Sequence, residues 1–242
     1  MSLVISATTL GDLALANFCP RCFWIKLKCE RLPFQTPLPG IFSSIDSYLK
    51  NVVRRYYERE QRLPPWFPDI GPVVGQEKVP GYTRFSVTLP RSGATLRGVP
   101  DDVFRLEGPR YHIVDYKTSR FTAAQDMLFL KYQAQLNVYA YIGQRTFFSP
   151  VTALSLIYLD PDTNFDFHPN LLSRSQSDLM LGFTPRLRRV EVQPDSFVEE
   201  LMERAREIDQ REVPPHHTTG CPDCVSLEQL MVLARLGSEG SP

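Results

Sequence analysis

No run of apolar residues in this chain approaches the ~20 that a membrane-crossing helix needs, so no membrane span is expected. The opening stretch, MSLVISATTLGDLALANF, has no basic segment ahead of its apolar residues and contains Asp12, which argues against a secretory leader. The expected location is therefore cytoplasmic. An excess of charge of either sign is also missing. Lys plus Arg and Asp plus Glu each total 27, so the formal charge is zero and a cationic, nucleic-acid-coating surface is excluded. Any contact with DNA must use local patches. The chain has neither a phosphate-cradling Walker loop nor a G-x-S-x-G nucleophile elbow, so it is neither a motor nor an esterase of that type. Cysteine is sparse, with five residues. In a reducing compartment disulfides are not expected, and paired cysteines read instead as metal or redox sites.

What is present has an ordinary globular balance, 43% hydrophobic and 22% charged, and the chain is long enough to bury a core without covalent staples. Residues 6–29 carry Leu10, Leu13, Ala14 and Phe18 at helical spacing, with Thr8 or Thr9 as cap and a break at Cys19-Pro20. A loop, RLPFQTPLPG, precedes a second helix at 41–61, whose apolar stripe is Ile41, Ile45, Tyr48, Val52 and Tyr56. Strands are expected at 72–79, 82–89, 95–106 and 110–117, joined by Pro-Gly, Ser-Gly and Gly-Pro turns. A helix at 123–144, a strand at 151–159, an alternating edge strand at 186–192 and helices at 194–207 and 226–236 complete the order. This is an α/β (α+β) pattern, expected as one domain. The expected parts are N-terminal helices with a CxxC (1–62), a sheet core (63–192) and C-terminal helices with a second CxxC (193–242).

The informative stretch is GVPDDVFRLEGPRYHIVDYKTS, residues 98–119. Asp115 and Lys117 end the apolar run His112–Ile113–Val114, where burying charge is costly unless it is paired. Two apart on a strand, they share a face. They could bind a divalent metal and orient a water, or form a plain ion pair at a strand end. An Asp-x-Lys triplet alone arises about once in a chain of this size. The facing acid depends on the hairpin. A two-residue turn, Gly108-Pro109, puts Asp102 opposite Asp115; a three-residue turn brings Asp101 to the face of Asp115 and Lys117.

The ordered set Gly98-x-x-Asp101, a hairpin, Asp115-x-Lys117 and Gln135-x-x-x-Tyr139 resembles the PD-(D/E)XK nuclease superfamily, and within it the RecB-type exonuclease branch that includes CRISPR-adaptation exonucleases. The resemblance is strong over 98–139 and looser from 19 to about 230. It implies a restriction-endonuclease-like mixed sheet flanked by helices, and Mg²⁺- or Mn²⁺-dependent cleavage of DNA strands or ends, with any duplex unwinding left to a helicase or another DNA-processing partner. It implies Asp101 and Asp115 as metal ligands, with the Tyr116 backbone carbonyl as a further one. Hard oxygen donors suit these ions. Lys117 would position water or neutralise charge, and Gln135 and Tyr139, one turn apart, would face the site. Relatives often add a His or Glu from an early helix. This chain has no His there, and Asp46 is the nearest candidate, unless it merely pairs with Lys50. The rival reading on the same fold is a non-catalytic nucleic-acid-binding or scaffold protein.

The cysteines form CPRC (Cys19, Cys22) near one end and CPDC (Cys221, Cys224) near the other. Each CxxC offers two thiolates to one soft metal, so together they would join the chain ends. In some relatives of the resembled branch four such cysteines hold an iron–sulfur cluster, though commonly with one early and three late. The two-and-two split here leaves structural zinc as the alternative, with His216 or His217 as a possible substitute ligand. Cys29 is expected to be a small buried residue. Basic–aromatic patches at Arg54–Arg55–Tyr56–Tyr57 and at Arg186, Arg188 and Arg189 are weaker candidates for strand contacts. His112 points to the face opposite Asp115 and reads as structural.

Overall fold

The computed structural model describes residues 3–29, 39–90, 93–120, 123–162 and 181–238. Most of the 31–40 loop, and His168, lie outside these. The chain begins with strand β1 (Val4–Ser6) and helix α1 (Ala7–Gly11), not with the helix expected from residue 6. Ser6 caps α1 by accepting the Thr9 N–H at 3.0 Å, so the cap falls before the expected Thr8 or Thr9. Proline at the first helical position starts α2 (Pro20–Lys28), as the Cys19-Pro20 break predicts. Helix α3 spans Gly40–Glu60. Its buried residues are Leu49, Val53 and Tyr57, whereas Tyr48 of the expected stripe is 72% exposed. The helix is therefore rotated by about one residue from the predicted face, and Leu49, Val53 and Tyr57 pack into the core under the sheet. Tyr57, a candidate stacking platform, belongs to that seam and is buried.

The expected strand at 95–106 divides at Gly98-Val99-Pro100, since proline cannot donate to a ladder. Its halves join different sheets. Strands β3 (Ser86–Thr88) and β4 (Thr95–Arg97) form a three-stranded mixed sheet with β1, in the order β1-β4-β3. Strands β2 (Val73–Glu77), β5 (Asp102–Leu106), β6 (Arg110–Lys117), β7 (Val151–Pro161) and β8 (Phe183–Val190) form a five-stranded sheet, β2-β5-β6-β7-β8. Only β6 and β7 in that sheet are parallel, and α4 (Ala123–Thr146) makes the crossover that such a pair requires. Strand β8 lies at the edge, as its alternating pattern implies. Helices α5 (Asp195–Asp209) and α6 (Pro222–Ser238) close the described chain. None of its helices is long and apolar enough to cross a membrane.

The two faces of β6 go to two cores. Val114 and Tyr116 pack with Leu49, Val53, Phe67, Ile157 and Leu159 on the α3 side. Ile113 packs with Leu136, Tyr139, Leu154 and Tyr158 on the α4 side. Period-two alternation therefore turns Asp115 and Lys117 toward α4. His112 is fully buried on the other face, its ring bonded to the Ser155 hydroxyl at 2.8 Å and facing the Ile70 carbonyl at 3.2 Å. Burial holds its pKa down at about 4, outweighing the carbonyl contact that favours the charged ring.

A histidine that is harder to protonate folded than unfolded destabilises the fold in acid. The unfolded chain binds more protons between pH 6.5 and about 4, so stability falls through that window as pH drops. The loss attributable to this ring reaches about 3 kcal/mol. His112→Gln should flatten that part of the pH dependence, measured by denaturant titration at pH 7, 5.5 and 4.5; identical slopes in both proteins would contradict it.

Candidate functional site

The β5–β6 hairpin decides which acid joins the site. Leu106 pairs with Arg110 and Asp102 with Val114, so the loop is three residues, Glu107-Gly108-Pro109, and the register places Asp101 opposite Asp115. Gly108 takes φ +78°, a left-handed conformation that glycine adopts without penalty. Asp102 points to the opposite face. Its oxygens accept the Gln76 amide at 2.7 Å and the Tyr116 hydroxyl at 2.6 Å, a closed structural network.

Asp101 is held by two donors. Its Oδ2 accepts the Tyr116 backbone N–H at 2.7 Å, and its Oδ1 meets the Lys50 ammonium at 2.6 Å. Burial, then the charge of nearby Asp115, push the Asp101 carboxyl up to about 7, and Lys50 only partly offsets them. Asp115 is buried. Its Oδ2 lies 2.5 Å from the Lys117 ammonium but accepts no well-formed hydrogen bond, and its Oδ1 is 3.4 Å from the Gln135 amide. Two mutually repelling carboxylates, one with an oxygen lacking a good donor, fit a hard divalent cation.

Helix α4 supplies the wall of this site. The Gln135 amide donates to the Tyr139 hydroxyl at 2.8 Å, so the two residues act as a linked pair beside Asp115. The Lys117 ammonium lies 4.1 Å from the centre of the Tyr132 ring, a cation–π contact that fixes its direction. Tyr132 was not legible as a site residue, since an aromatic on an amphipathic helix looks like core. Gly98 earns its place sterically. A Cβ there would lie 2.4 Å from Tyr139 Cε1, so only glycine lets the tyrosine ring pass.

Asp46 comes to the rim of the site through Lys50, which bridges it at 2.6 Å to Asp101. Asp46, a candidate ligand with a plain Lys50 pair as the alternative, makes that pair, and the pair extends into the site. A cleft of 590 Å³ opens here between α3 and β2, with Lys50 and Asp101 in its wall. The late arginines have partners of their own. Arg186 pairs with Asp160 at 3.1 Å, and Arg188 lies over the Phe129 ring at 3.5 Å.

The four CxxC thiols converge. Cys19 lies 3.7 Å from Cys224, Cys22 lies 3.5 Å from both Cys221 and Cys224, and all four Sγ atoms are within 4.8 Å of one another. Burial alone would raise the Cys19 thiol, but backbone N–H groups of Cys22 and Thr218 aimed at its sulfur hold it down at about 6. Burial and the neighbouring sulfurs push Cys22 up, and Cys224 up to about 11. Four thiols that cannot ionise together without a cation fit a soft metal. Arg21 reinforces the joint by donating to the Pro215 carbonyl at 3.1 Å and to Glu228 at 2.9 Å. His217 bonds the Thr218 carbonyl instead of joining the thiols. Cys29 is exposed at the end of α2, not buried as expected, because the helix ends there.

Among known families, residues 23–227 match the PD-(D/E)XK nuclease superfamily. No protein of curated function matches the chain. Ten chains of known structure do. One is a crystal structure of SSO0001, which superposes with a TM-score of 0.50 at 14% identity, covering 89% of this chain and 80% of that one. At that identity the likeness is one of fold.

Gly98→Ala should cost about 1–3 kcal/mol by forcing the Tyr139 ring aside, read as a lower melting temperature; an unchanged melt would refute the close approach. Cys221→Ser should open the thiol clasp. A loss of about 3 kcal/mol or more corresponds to a fall of roughly 10 °C at this chain length, so a variant as stable as wild type would count against a bound structural metal.

Proposed function

The chain belongs to the PD-(D/E)XK nuclease superfamily, and from that premise we propose that it is a divalent-metal-dependent DNA nuclease, an exonuclease of the RecB-like kind acting on single strands or ends. The observation that carries the reading is that Asp101, at the entry to β5, lies beside buried Asp115, which pairs with Lys117 at the end of β6. Such charges are costly to bury, and a purely structural ion pair needs only one carboxylate.

Asp101, Asp115 and the Tyr116 carbonyl would hold Mg²⁺ or Mn²⁺. The cation supplies Lewis-acid activation of water and charge neutralisation at the phosphoryl group. The chain's own residues do the rest. Lys117, aimed by the Tyr132 ring and by Asp115, presents an ammonium for the attacking water or the developing phosphoryl charge. Gln135 directs its two amide protons at the Tyr139 hydroxyl and Asp115, and so orients that carboxylate. Buried aliphatic side chains of β6 and β7 below the site exclude bulk water and strengthen these interactions.

The thiol cluster is a structural centre, because four thiolates leave no open position for a substrate water. Tetrahedral ligation of one zinc at ~2.3 Å gives sulfur–sulfur edges of roughly 3.8 Å. Three of the sulfur pairs are 3.5–3.7 Å apart and all four sulfurs lie within 4.8 Å of one another, which supports a single-ion centre. An iron–sulfur cluster needs the CxxC segments to part toward the adjoining cleft of 380 Å³, which Cys19, Cys22 and Cys221 line. Metal analysis with a visible absorption spectrum separates the two: colourless and zinc-loaded, or brown and iron-loaded.

Labelled single- and double-stranded DNA incubated with Mg²⁺ or Mn²⁺ tests the activity. Asp115→Ala and Lys117→Ala should each lower the rate by at least ~100-fold while the fold melts normally, and chelation should abolish it. Undiminished cleavage by either variant would place the chemistry elsewhere. Tight strand binding without cleavage by wild type would favour the scaffold reading.

A further inference from the structure

We propose that Lys50 is a resident cation of this centre, standing at Asp101 in the place of one metal ion, so that the site takes a single divalent ion. The inference rests on reading the carboxylates as a metal site. Its own ground is the charge and contact pattern around Lys50.

Asp101 has both oxygens engaged by protein donors, Lys50 at Oδ1 and the Tyr116 N–H at Oδ2. Asp115 differs. Among the described residues it meets Lys117 at 2.5 Å and Gln135 at a longer 3.4 Å, and its Oδ2 accepts no well-formed hydrogen bond. Each carboxylate therefore meets one ammonium, and Asp115 is the one that keeps an oxygen without a well-formed hydrogen bond. Lys50 comes from α3, in the layer opposite α4, and donates to Asp46 as well as Asp101, each at 2.6 Å. An ammonium between two carboxylates satisfies the same charge demand as a bridging metal ion, without needing a hydration shell.

The charge count points the same way. Asp46, Asp101 and Asp115 face Lys50 and Lys117, which leaves one negative charge. The adjoining cleft sets Arg54, Arg55 and Lys78 against Glu58 and Asp102, with Glu77 already paired to Arg105 at 2.9 Å, so it brings no further negative charge. One divalent ion makes the centre singly positive, matched by one phosphodiester. A second would leave three positive charges in a half-buried site, an unfavourable field at low local dielectric. Removing the Lys50 charge leaves Asp46 and Asp101 facing each other without a cation, a vacancy that a second metal ion can fill.

The test is Mn²⁺ binding to the whole chain, with its thiol centre loaded as purified and no nucleic acid present. Calorimetry and the electron paramagnetic resonance of free Mn²⁺ count the ions. Wild type should bind one Mn²⁺ per chain outside the thiol centre, and so should Lys50→Arg. Lys50→Gln should bind a second ion, or hold the first at least ~10-fold tighter. Lys50→Met, which keeps the aliphatic stem, serves if the glutamine variant melts early. Two ions in wild type, or the same count and affinity in wild type and the neutral variants, overturns the inference while leaving the metal reading intact. No binding by wild type, Lys50→Gln or Lys50→Met overturns the metal reading itself, and this inference with it.

Discussion

Everything at this site depends on holding two carboxylates together where water is scarce. The β5–β6 register brings Asp101 to the side of Asp115, and burial first, then the charge of Asp115, raises the affinity of Asp101 for a proton. A protein can sustain that arrangement only by compensating the charge. Here compensation comes from both layers of the fold: Lys117 on the α4 side and Lys50 from α3. The neighbouring residues follow from this constraint. Gly98 clears space for Tyr139, Tyr139 accepts the Gln135 amide, Gln135 flanks Asp115, and Tyr132 fixes the Lys117 ammonium.

The thiol clasp answers a different problem. α2 and α6 are far apart in the chain and share few apolar contacts, because the described part of α6 is largely exposed. Four thiols within 4.8 Å, with Arg21 tying the same two segments, give those ends a joint that does not depend on a large hydrophobic interface. Helix α2 also reaches the end of α5, where the Lys28 ammonium meets Asp209 at 2.8 Å and Trp24 donates to the Arg211 carbonyl at 3.0 Å. The clasp therefore braces the side of the molecule formed by α2 and α5 as well as the chain end.

Much of this was legible in the chain. Strand β6 was bounded at its final residue by turn chemistry and period, α3 and α4 by helical spacing, and Asp115-x-Lys117 by its odd position at the end of an apolar run. The failures have physical causes. The stretch 95–106 looked like one strand because its apolar pattern is continuous, yet Gly98-Val99-Pro100 cannot keep a ladder and the halves entered separate sheets. The α3 stripe was misplaced because nearly every turn of that helix offers apolar residues on more than one face. Cys29 was placed inside on general preference for burial, and no local signal opposed it.

The sequence by itself determined the alphabet of the site: which strand carries Asp115 and Lys117, that Gln135 and Tyr139 share a helix face, and that two CxxC pairs lie near the two ends. Those facts are local, fixed by residue type and by the periods of helix and strand. The tertiary structure alone decided that Asp101 and not Asp102 faces Asp115, that Lys50 crosses from the opposite layer to meet it, and that the CxxC pairs converge. Each of these turns on a register or a long-range contact, and such choices are settled by packing over the whole chain, where a shift of one residue reverses a strand's faces.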